Sequence, residues 1–283
     1  MARKGLFVGL VTLDFIYLAA DVPHPNQKLV AADYSFAAGG PATNAAVTFG
    51  YLGNHSILLA VVGKHPMTNL ILADLDSHEV AVRDLEPTRE SPPPVSSIIV
   101  TQERGDRAVI SLNATKTQAR PDQVAPDILQ GVDMLLIDGH QMAVGCHLAQ
   151  MAKSYHIPVA IDGGSWKPGF AELLPFVDYA ICSANFYPPG CHNTEEVMAY
   201  LADIGIPHIA ITQGENPIQY LDAGSFGSIN VPQINAIDTL GAGDIFHGAF
   251  CHYIGQHNFT DALAAAAQIA SKSCLHFGTR SWM

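Results

Sequence analysis

The feature that most constrains the fold is a regular alternation of strands and helices in the second half of the chain. From Pro121 onward, short apolar strands are separated by stretches with helical spacing. The predicted strands are residues 134–138, 158–162, 179–183 and 209–212. Helices that cross over between successive strands of one sheet give parallel pairing. We therefore predict an α/β fold with a central, mostly parallel sheet that is flanked by helices.

Charge limits the classes of partner. The chain of 283 residues carries 14 Lys and Arg against 26 Asp and Glu, for a net charge of -12. So little positive charge leaves no basic surface that could release the counterions of nucleic acid or bind an anionic membrane. We expect neither as a partner. Any phosphate should be held by backbone N–H groups, a metal ion and a few cations.

Cysteine usage and the amino-terminal residues favour a cytoplasmic protein. The five cysteines are an odd number with no C-x-x-C spacing, which is typical of reduced thiols. The first apolar run, residues 5–11, is too short for a signal-peptide core and is predicted to be a buried strand. The 13 histidines form no His-Glu-x-x-His or His-x-His cluster, so no protein-held metal site is predicted.

A glycine turn that opens a helix marks the first candidate site. The run Gly241-Ala242-Gly243-Asp244 precedes apolar residues at helical spacing. A helix start of such small residues leaves backbone N–H groups bare, and together with the positive end of the helix dipole they can bind an anion such as phosphate. Asp244 would lie within one turn of that anion and could accept a proton from a hydroxyl. These are the two parts that a kinase most needs.

A second glycine turn, Gly39-Gly40, opens another helix of small residues. These glycines let the backbone approach a ligand closely, and Asn44 can both donate to and accept from a hydroxyl. Asp14 interrupts an apolar run after the first strand, at the edge where open α/β sheets bind their ligands. Further polar residues follow the other predicted strands and should meet at the same edge, among them His140, Lys167, Asn185 and Thr212.

Two long motifs resemble the signatures of the PfkB carbohydrate kinase family, whose fold is ribokinase-like. The first is Gly39-Gly40-Pro41-Ala42-Thr43-Asn44-Ala45-Ala46, followed by Gly53 and Gly63, and the second runs from Asp238 to Cys251. The resemblance covers nearly the whole chain, and ketohexokinase and sulfofructose kinase relatives look most similar. It implies an ATP-dependent kinase that phosphorylates a primary hydroxyl of a small sugar.

The resemblance also implies roles for individual residues. Asp244 would deprotonate the acceptor hydroxyl, while the turn of Gly241, Ala242 and Gly243 stabilises charge on the γ-phosphoryl group. The alanine-rich helix of residues 260–270, with Thr260 predicted as its N-cap, would lie beside the adenine. The implied sugar contacts are Asp14, Gly39, Gly40, Asn44 and His140, and the implied ATP contacts are Asn185, Thr212, Gly214, Ser273 and His276.

The same resemblance divides the chain into a kinase core and a lid. Residues 12–36 and 89–113 each contain two β-like runs, joined by turns at Pro23–Asn26 and Glu103–Asp106. They would form a discontinuous β lid that excludes water from the sugar. Residues 1–11, 37–88 and 114–283 would form the α/β core. Lids of this family often pair between subunits, so a homodimer through the lid is expected.

Two loops depart from the family pattern. Many relatives follow the asparagine at position 185 with glutamates that organise Mg²⁺ through water, whereas this chain continues Phe186-Tyr187-Pro188-Pro189-Gly190. ATP would still bring Mg²⁺, held mainly by the phosphates and water. The loop after Thr212 has Pro217 where a second glycine is common.

Two other functions stay open from the sequence. A nucleoside kinase of the same fold is possible, because Phe15 and Tyr17 could stack on a base. A catalytically weak sugar-binding sensor is the other, because the glutamates are missing. Within the kinase interpretation a neutral sugar is favoured, since no basic residue is evident for an anionic one and His140 stands near where an arginine could be.

Overall fold

The computed structural model describes residues 2–103, 105, 107–112 and 117–283. Thirteen strands and seven α-helices follow one another in these residues, with two short 3-10 turns at Pro121–Gln123 and Leu174–Phe176. The strands are β1 Lys4–Val8, β2 Thr12–Ala19, β3 Asp33–Gly39, β4 His55–Ala60, β5 Ala81–Asp84, β6 Val95–Thr101, β7 Arg107–Ser111, β8 Met134–Ile137, β9 Val159–Gly163, β10 Tyr179–Ser183, β11 His208–Gln213, β12 Asn216–Asp222 and β13 Ser225–Ile229. The helices are α1 Pro41–Tyr51, α2 Thr68–Ser77, α3 Met142–Ser154, α4 Phe170–Leu173, α5 Thr194–Asp203, α6 Ala242–Tyr253 and α7 Phe259–Ser273.

The larger sheet has nine strands in the order β13-β12-β11-β10-β9-β8-β1-β4-β5 among the described residues. The seven strands from β11 to β5 in this order pair in parallel, and β12 and β13 add an antiparallel hairpin at one edge. Successive residues of β1 face opposite sides: Leu6 and Val8 pack with α3, α4 and α5, whereas Phe7 packs with α1, α6 and α7. The predicted α/β fold with helices on both faces is confirmed.

The predicted strands of the second half are confirmed to within one or two residues. Three further strands, β5, β12 and β13, were not predicted. They lie at the two edges of the sheet and are only partly buried. Edge strands do not need a continuous apolar run, so the strongest sequence signal is missing there.

A separate four-stranded sheet has the order β3-β2-β6-β7. It contains both predicted pairs of β runs. Its buried residues Ile16, Ile98 and Val100 pack against Leu240, which precedes α6, and Phe277, which follows α7. β3 continues to residue 39, three residues beyond the predicted boundary of the lid. Residues 104 and 106 of the predicted hairpin turn, and the predicted boundary between residues 113 and 114, lie outside the described residues. The division into lid and core stays a prediction.

Two local predictions are corrected. Asp14 lies inside β2, a strand of the small sheet, and not at the end of a strand of the larger sheet. The N-cap of α7 is Asn258, whose side chain accepts a hydrogen bond from the N–H of Asp261 at 2.8 Å. Thr260 lies one residue inside this helix, and its hydroxyl donates to Asn258 Oδ1. Asn is the stronger capping residue, and here it precedes the expected one.

None of the helices described here is both long enough and apolar enough to cross a membrane.

The close packing of α1 on α6 positions the two glycine turns. Gly248 of α6 lies against the backbone of α1, where a Cβ would overlap the carbonyl oxygen of Ala45 and lie 2.7 Å from Cβ of Thr48. Glycine at this position therefore allows the two helix backbones to touch. The starts of both helices are then held at the same edge of the sheet.

We predict that Gly248→Ala lowers the free energy of unfolding by about 1–3 kcal/mol, because backbone cannot move aside as a side chain can. Gly145→Ala in α3 is the matched control. Its new methyl group would stand 2.8 Å from Cγ2 of Ile137, a side chain that can shift. The gain in helix propensity should keep the control within about 1 kcal/mol of wild type. Urea unfolding measures both, and equal effects of the two substitutions would contradict the packing argument.

Candidate active site

Helix α6 begins with an open glycine turn. Gly241 is its N-cap and adopts the left-handed conformation with φ of 69°, and no side chain caps the first turn. The N–H of Ala242 donates to the carbonyl of Thr239 at 3.3 Å, which differs from the expectation that this amide is bare. Among the described residues, no hydrogen bond engages the amides of Gly243 and Asp244. These two amides, at the positive end of the helix dipole, can receive an anion.

Asn44, in the first turn and a half of α1, contacts Asp244 directly. Its Nδ2 donates to Oδ2 of Asp244 at 2.8 Å. A Cβ on Gly241 would stand 3.5 Å from the same nitrogen and 3.8 Å from the same oxygen. The structure therefore brings together residues that the sequence separates by about two hundred positions. In the described contacts Oδ1 of Asp244 makes no hydrogen bond, so it can accept one from a hydroxyl.

Asp14 and Gly39 face each other across the paired strands β2 and β3. Thr12 Oγ1 donates to Asp14 Oδ1 at 2.7 Å. A Cβ at position 39 would overlap the Asp14 carboxyl, so this position requires glycine. Burial raises the pKa of Asp14, and hydrogen bonds from Thr12 and Ser96 partly oppose that rise. The carboxyl lies on the face of β2 that is turned toward Leu240, on the loop that leads to α6.

Asp138 joins three segments at the edge of the sheet. Its Oδ2 accepts from the N–H of Leu10 at 2.9 Å and of Ala42 at 3.1 Å, and its Oδ1 accepts from the N–H of His140 at 2.8 Å. Burial acts to raise the pKa of Asp138, but the attraction of His140 and these N–H donors outweigh it and lower the pKa to about 2. Asp138 is thus a structural carboxylate. It holds His140, a predicted sugar contact, beside the start of α1.

The carboxyl of Asp244 has a different environment. Burial and then repulsion from Asp162 raise the pKa of Asp244 to about 7, against the hydrogen bond from Asn44 and the attraction of His247. Asp162 itself lies at the end of β9, with Oδ2 3.4 Å from Nδ1 of His247. A carboxyl with a pKa near neutrality is suited to take a proton from a hydroxyl at physiological pH.

The loops predicted to hold ATP are joined to one another on this edge of the sheet. The N–H of Asn185 donates to Oγ of Ser183 at 3.1 Å, and this hydroxyl donates to the carbonyl of Gly164 at 2.8 Å. The N–H of Ala184 donates to the carbonyl of Thr212 at 3.0 Å. Gly214 adopts a left-handed conformation, and among the described residues other than its two chain neighbours no atom lies within 4 Å of where its Cβ would be.

The remaining two predicted ATP residues lie at the end of α7. Ser273 is buried, and its hydroxyl donates to the carbonyl of Ala270 within the same helix at 2.8 Å. His276 lies in the turn that follows, where its N–H donates to the carbonyl of Ser273. This turn is fixed to the loop before α6, because the carbonyl of Cys274 accepts from the N–H groups of residues 237 and 238. A role of either residue in ATP binding stays a prediction.

Sequence reasoning missed two charged residues of the site. Arg280 donates to the side-chain oxygen of Asn44 at 2.9 Å, and it pairs with Asp74 of α2 at 3.2 Å. Neither residue belongs to a motif identified in the sequence. The chain separation of 236 residues between Arg280 and Asn44 leaves no local pattern that could have predicted this contact.

Comparison with known proteins decides the family. A model of the pfkB family of carbohydrate kinases, described as "pfkB family carbohydrate kinase", matches residues 3–283. The chain belongs to this family. Membership of the pfkB family confirms the predicted class of enzyme, a sugar kinase that transfers a phosphoryl group from ATP to an alcohol acceptor.

Individual pfkB family proteins are similar to the chain over almost its whole length. It is 25% identical over 291 residues to the deoxyribokinase of Salmonella typhi, covering 97% of this chain and 93% of that protein. It is 22% identical to the ketohexokinase of Mus musculus, covering 96% of each chain. The structure of Arabidopsis thaliana ribokinase complexed with ribose and ATP matches with a TM-score of 0.81 at 20% identity, covering 100% of this chain and 96% of that one. The predicted ribokinase-like fold is confirmed.

The raised pKa of Asp244 predicts a pH-dependent effect on stability. Its folded-state pKa of about 7 lies above its ordinary value of 3.8, so between these values the folded state binds the proton more tightly than the unfolded state. The ionised carboxyl therefore destabilises the fold as pH rises through this window. We predict that Asp244→Asn raises the free energy of unfolding by roughly 1–2 kcal/mol at pH 8, allowing for solvent screening of a half-buried group.

Urea unfolding at several pH values tests this expectation. The gain from Asp244→Asn should shrink as pH falls and vanish below about pH 3, where the carboxyl is protonated in both states. Asp127→Asn replaces an exposed aspartate and is the control. A gain that does not depend on pH, or the same profile in the control, would contradict the proposed environment of Asp244.

Proposed function

We propose that the chain transfers the γ-phosphoryl group of ATP to a primary hydroxyl of a small neutral sugar, with Asp244 as the base. The observation that carries this proposal is the 2.8 Å hydrogen bond between Asn44 and Asp244 beside the open amides of α6. This hydrogen bond joins Asn44, a predicted sugar contact, to the candidate base Asp244, next to the anion site at the start of α6. Phosphoryl transfer depends mostly on positioning and electrostatics, so these parts suffice.

The proposed step is a direct transfer in which each part has one task. Oδ1 of Asp244 accepts the proton of the sugar hydroxyl as the hydroxyl oxygen bonds to the γ-phosphorus. The bond from that phosphorus to the bridging oxygen breaks, and ADP leaves with the electron pair. The amides of Gly243 and Asp244, within the turn that Gly241 and Ala242 complete, stabilise charge on the transferring group. A preorganised donor of this kind contributes roughly 3 kcal/mol where it has been measured.

The sugar would be held on the opposite side of the cleft from the phosphates. Asp14 offers carboxylate oxygens to sugar hydroxyls, and Gly39 and Gly40 allow the backbone to approach the ring. His140 lies at the same edge and can add one contact. A neutral sugar is supported by the charges in this region, because Asp14 and Asp244 are both acidic and Arg280 is already paired with Asp74.

ATP would lie along the loops after β9, β10 and β11, in contact with Asn185, Thr212 and Gly214 and with Ser273 and His276 on the adenine side. The family implies Mg²⁺ with the nucleotide. In the part of the chain that the structure describes, no group of three or more His, Cys, Asp or Glu side chains could hold a metal ion. The protein alone therefore does not fit a Mg²⁺ cage. Mg²⁺ bound to the nucleotide phosphates keeps most of its water and requires none.

Phe15 and Tyr17, the aromatic residues that suggested a nucleoside kinase, lie on the face of β2 opposite to Asp14. Asp14 and Ile16 share one face of β2, and alternation places Phe15 and Tyr17 on the other. Phe15 packs toward the core cluster that includes α2 residues, and Tyr17 is partly exposed. Neither residue can stack on a base bound beside Asp14. A sugar that carries no base is the acceptor that the described site supports.

The small sheet is proposed to act as the lid of this site, with residues 12–36 and 89–113 as its two segments. Arg107 Nη1, on β7, donates to the carbonyl of Thr239 at 2.9 Å. A Cβ on Gly105 would stand 2.8 Å from the carbonyl oxygen of Ile237. Contacts between this sheet and the loop that leads to α6 support a role in closing the cleft over the sugar.

All five cysteines are free thiols. This supports the proposal of a cytoplasmic enzyme, because thiols stay reduced in that compartment.

ADP release from Mg·ATP measured with a panel of sugars tests the proposed function. We expect neutral pentoses or hexoses to give higher kcat/KM than sugar acids or nucleosides. Asp244→Asn should reduce kcat by about 100- to 10,000-fold, which is the usual contribution of a general base. Its affinity for the sugar, measured by calorimetry, should change little.

Asp127→Asn is the control for this substitution, and we expect it to keep wild-type turnover. Turnover of Asp244→Asn at the wild-type rate would remove Asp244 from the mechanism. Sugar binding without ADP release by the wild-type protein would instead favour the sensor function. A sugar acid as the best acceptor would contradict the proposed neutral substrate.

The outer face of the small sheet is proposed to pair with a second copy of the chain. Tyr34 on β3 is 66% exposed and Ile110 on β7 is 79% exposed. Strand pairing places both on the same face as Phe15 and Tyr17, away from the cleft. An apolar sheet face of this kind would be covered in a dimer.

Light scattering should therefore give twice the chain mass of 30.2 kDa for the wild-type protein. Tyr34→Asp should shift it to the monomer, because a dimer would bury the new carboxylates. Phe226→Asp on β13 is the matched control, since this aromatic residue is 67% exposed on the other sheet. A monomeric wild type, or equal dissociation in both variants, would contradict pairing through the small sheet.

A further inference from the structure

Arg280 reaches the active site from the segment that follows α7. This segment is anchored by Trp282, which is buried and donates from Nε1 to the carbonyl of Thr279 at 3.1 Å. The indole also packs edge-on against Tyr51 at the end of α1, with ring centroids 5.1 Å apart. With Trp282 buried in this position, the side chain of Arg280 is only 13% exposed. Its guanidinium is therefore fixed in place before any substrate binds.

The guanidinium contacts Asn44 of the first glycine motif and Ala38, the residue directly before that motif. Nη1 donates to Oδ1 of Asn44 at 2.9 Å, and Nη2 donates to the carbonyl of Ala38 at 2.6 Å. Nη2 also pairs with Oδ2 of Asp74 at 3.2 Å, and that same oxygen accepts from the N–H of Ala38 at 3.0 Å. Arg280 and Asp74 thus hold the peptide groups on both sides of Ala38. The next two residues are the glycines of the proposed sugar site.

The contact with Asn44 fixes the orientation of its amide. A guanidinium can only donate, so it requires the carbonyl oxygen of Asn44 on its side. The amide nitrogen must then face Asp244, where it donates to Oδ2. In the reversed orientation, nitrogen would face nitrogen at Arg280 and oxygen would face oxygen at Asp244. Both contacts would be repulsive.

We propose that Arg280 is a positioning residue for phosphoryl transfer: through Asn44 it orients the base Asp244, and its charge favours the ionised form of that base. This inference rests on the proposed role of Asp244. It adds a link between the last residues of the chain and the reaction centre. Arg280 does not touch the reacting atoms, because Asn44 lies between it and the carboxyl.

The charges around Asp244 determine the expected direction of the effect. Asp162 on β9 and Asp138 after β8 disfavour its ionisation, whereas His247 on α6 favours it. The Arg280 guanidinium interacts electrostatically with both Asp244 and Asp14. Removal of this cation should therefore raise the pKa of Asp244. The acid limb of kcat/KM, which reports the free enzyme, should move to higher pH.

The test compares Arg280→Gln and Arg280→Lys with Trp282→Leu in the whole chain of 283 residues. Trp282→Leu loosens the same segment but keeps the guanidinium. It therefore distinguishes an effect of the Arg280 guanidinium on Asp244 from an effect of loosening the segment. The first readout is the titration of the Asp244 carboxyl carbon in protein labelled with ¹³C-aspartate, assigned with Asp244→Asn. This readout does not depend on turnover. The second readout is the pH profile of ADP release with Mg·ATP and the best sugar of the panel.

We expect Arg280→Gln to raise the pKa of Asp244, to lower kcat at least tenfold at pH 6, and to recover part of that loss at higher pH. Arg280→Lys should restore the position of the acid limb, because it keeps the charge, but not the full kcat, because it cannot make both contacts. Trp282→Leu should lower thermal stability and move the Asp244 titration by much less than Arg280→Gln does, because it keeps the guanidinium.

An unchanged Asp244 titration in Arg280→Gln would overturn the proposal, whether or not the protein turns over a sugar. So would a titration shift of equal size in Trp282→Leu, which would show that anchoring alone explains the contact. A shifted titration in a protein that releases no ADP with any sugar would leave the link between Arg280 and Asp244 intact. That result would instead overturn the catalytic role of Asp244.

Discussion

The candidate active site depends on the contact between the starts of α1 and α6. Two helix N-termini placed side by side bring two positive dipole ends together, which favours an anion between them and opposes their approach in its absence. At this junction Asn44 donates a hydrogen bond to Asp244, and the Asp244 carboxyl is the acidic group between the two helix starts. Gly248 permits the approach because no side chain separates the two backbones. The proposed sugar and phosphate sites are consequently held next to each other.

Three buried or half-buried carboxyls, those of Asp138, Asp162 and Asp244, lie along this edge of the larger sheet, and the surroundings of Asp138 and Asp244 give these two different roles. Asp138 receives three backbone N–H groups and has a pKa of about 2, so it remains a charged structural group. Asp244 receives one side-chain donor and is repelled by Asp162, so burial dominates and its pKa rises. The attraction of His140 and the backbone N–H donors therefore separate the structural aspartate from the candidate base.

The parts of the fold and site that follow local rules could be predicted from sequence. The glycine turns, the strands with buried runs and the position of Asp244 at the start of α6 each depend on a few neighbouring residues. Arg280 could not be found in this way, because its partners Asn44 and Asp74 are 236 and 206 residues away. The orientation of Phe15 and Tyr17 could have been predicted. In a strand, residues next to Asp14 and Ile16 must face the other side.

The carboxylates of this region oppose the binding of a nucleoside triphosphate, so the anion site of α6 must be held firmly in place. His247 contributes to this, because its ring lies directly behind the glycine turn of α6. Nδ1 lies 2.7 Å from the carbonyl of Gly243 and 3.4 Å from Asp162, and Nε2 lies 3.2 Å from the carbonyl of Ile181. Both ring nitrogens lie within hydrogen-bond distance of a backbone carbonyl, so His247 joins the first turn of α6 to β10. This contact holds the turn that presents the free amides of Gly243 and Asp244 against the sheet. The anion site of α6 therefore relies on fixed backbone amides and the helix dipole, which agrees with a chain that carries few basic residues.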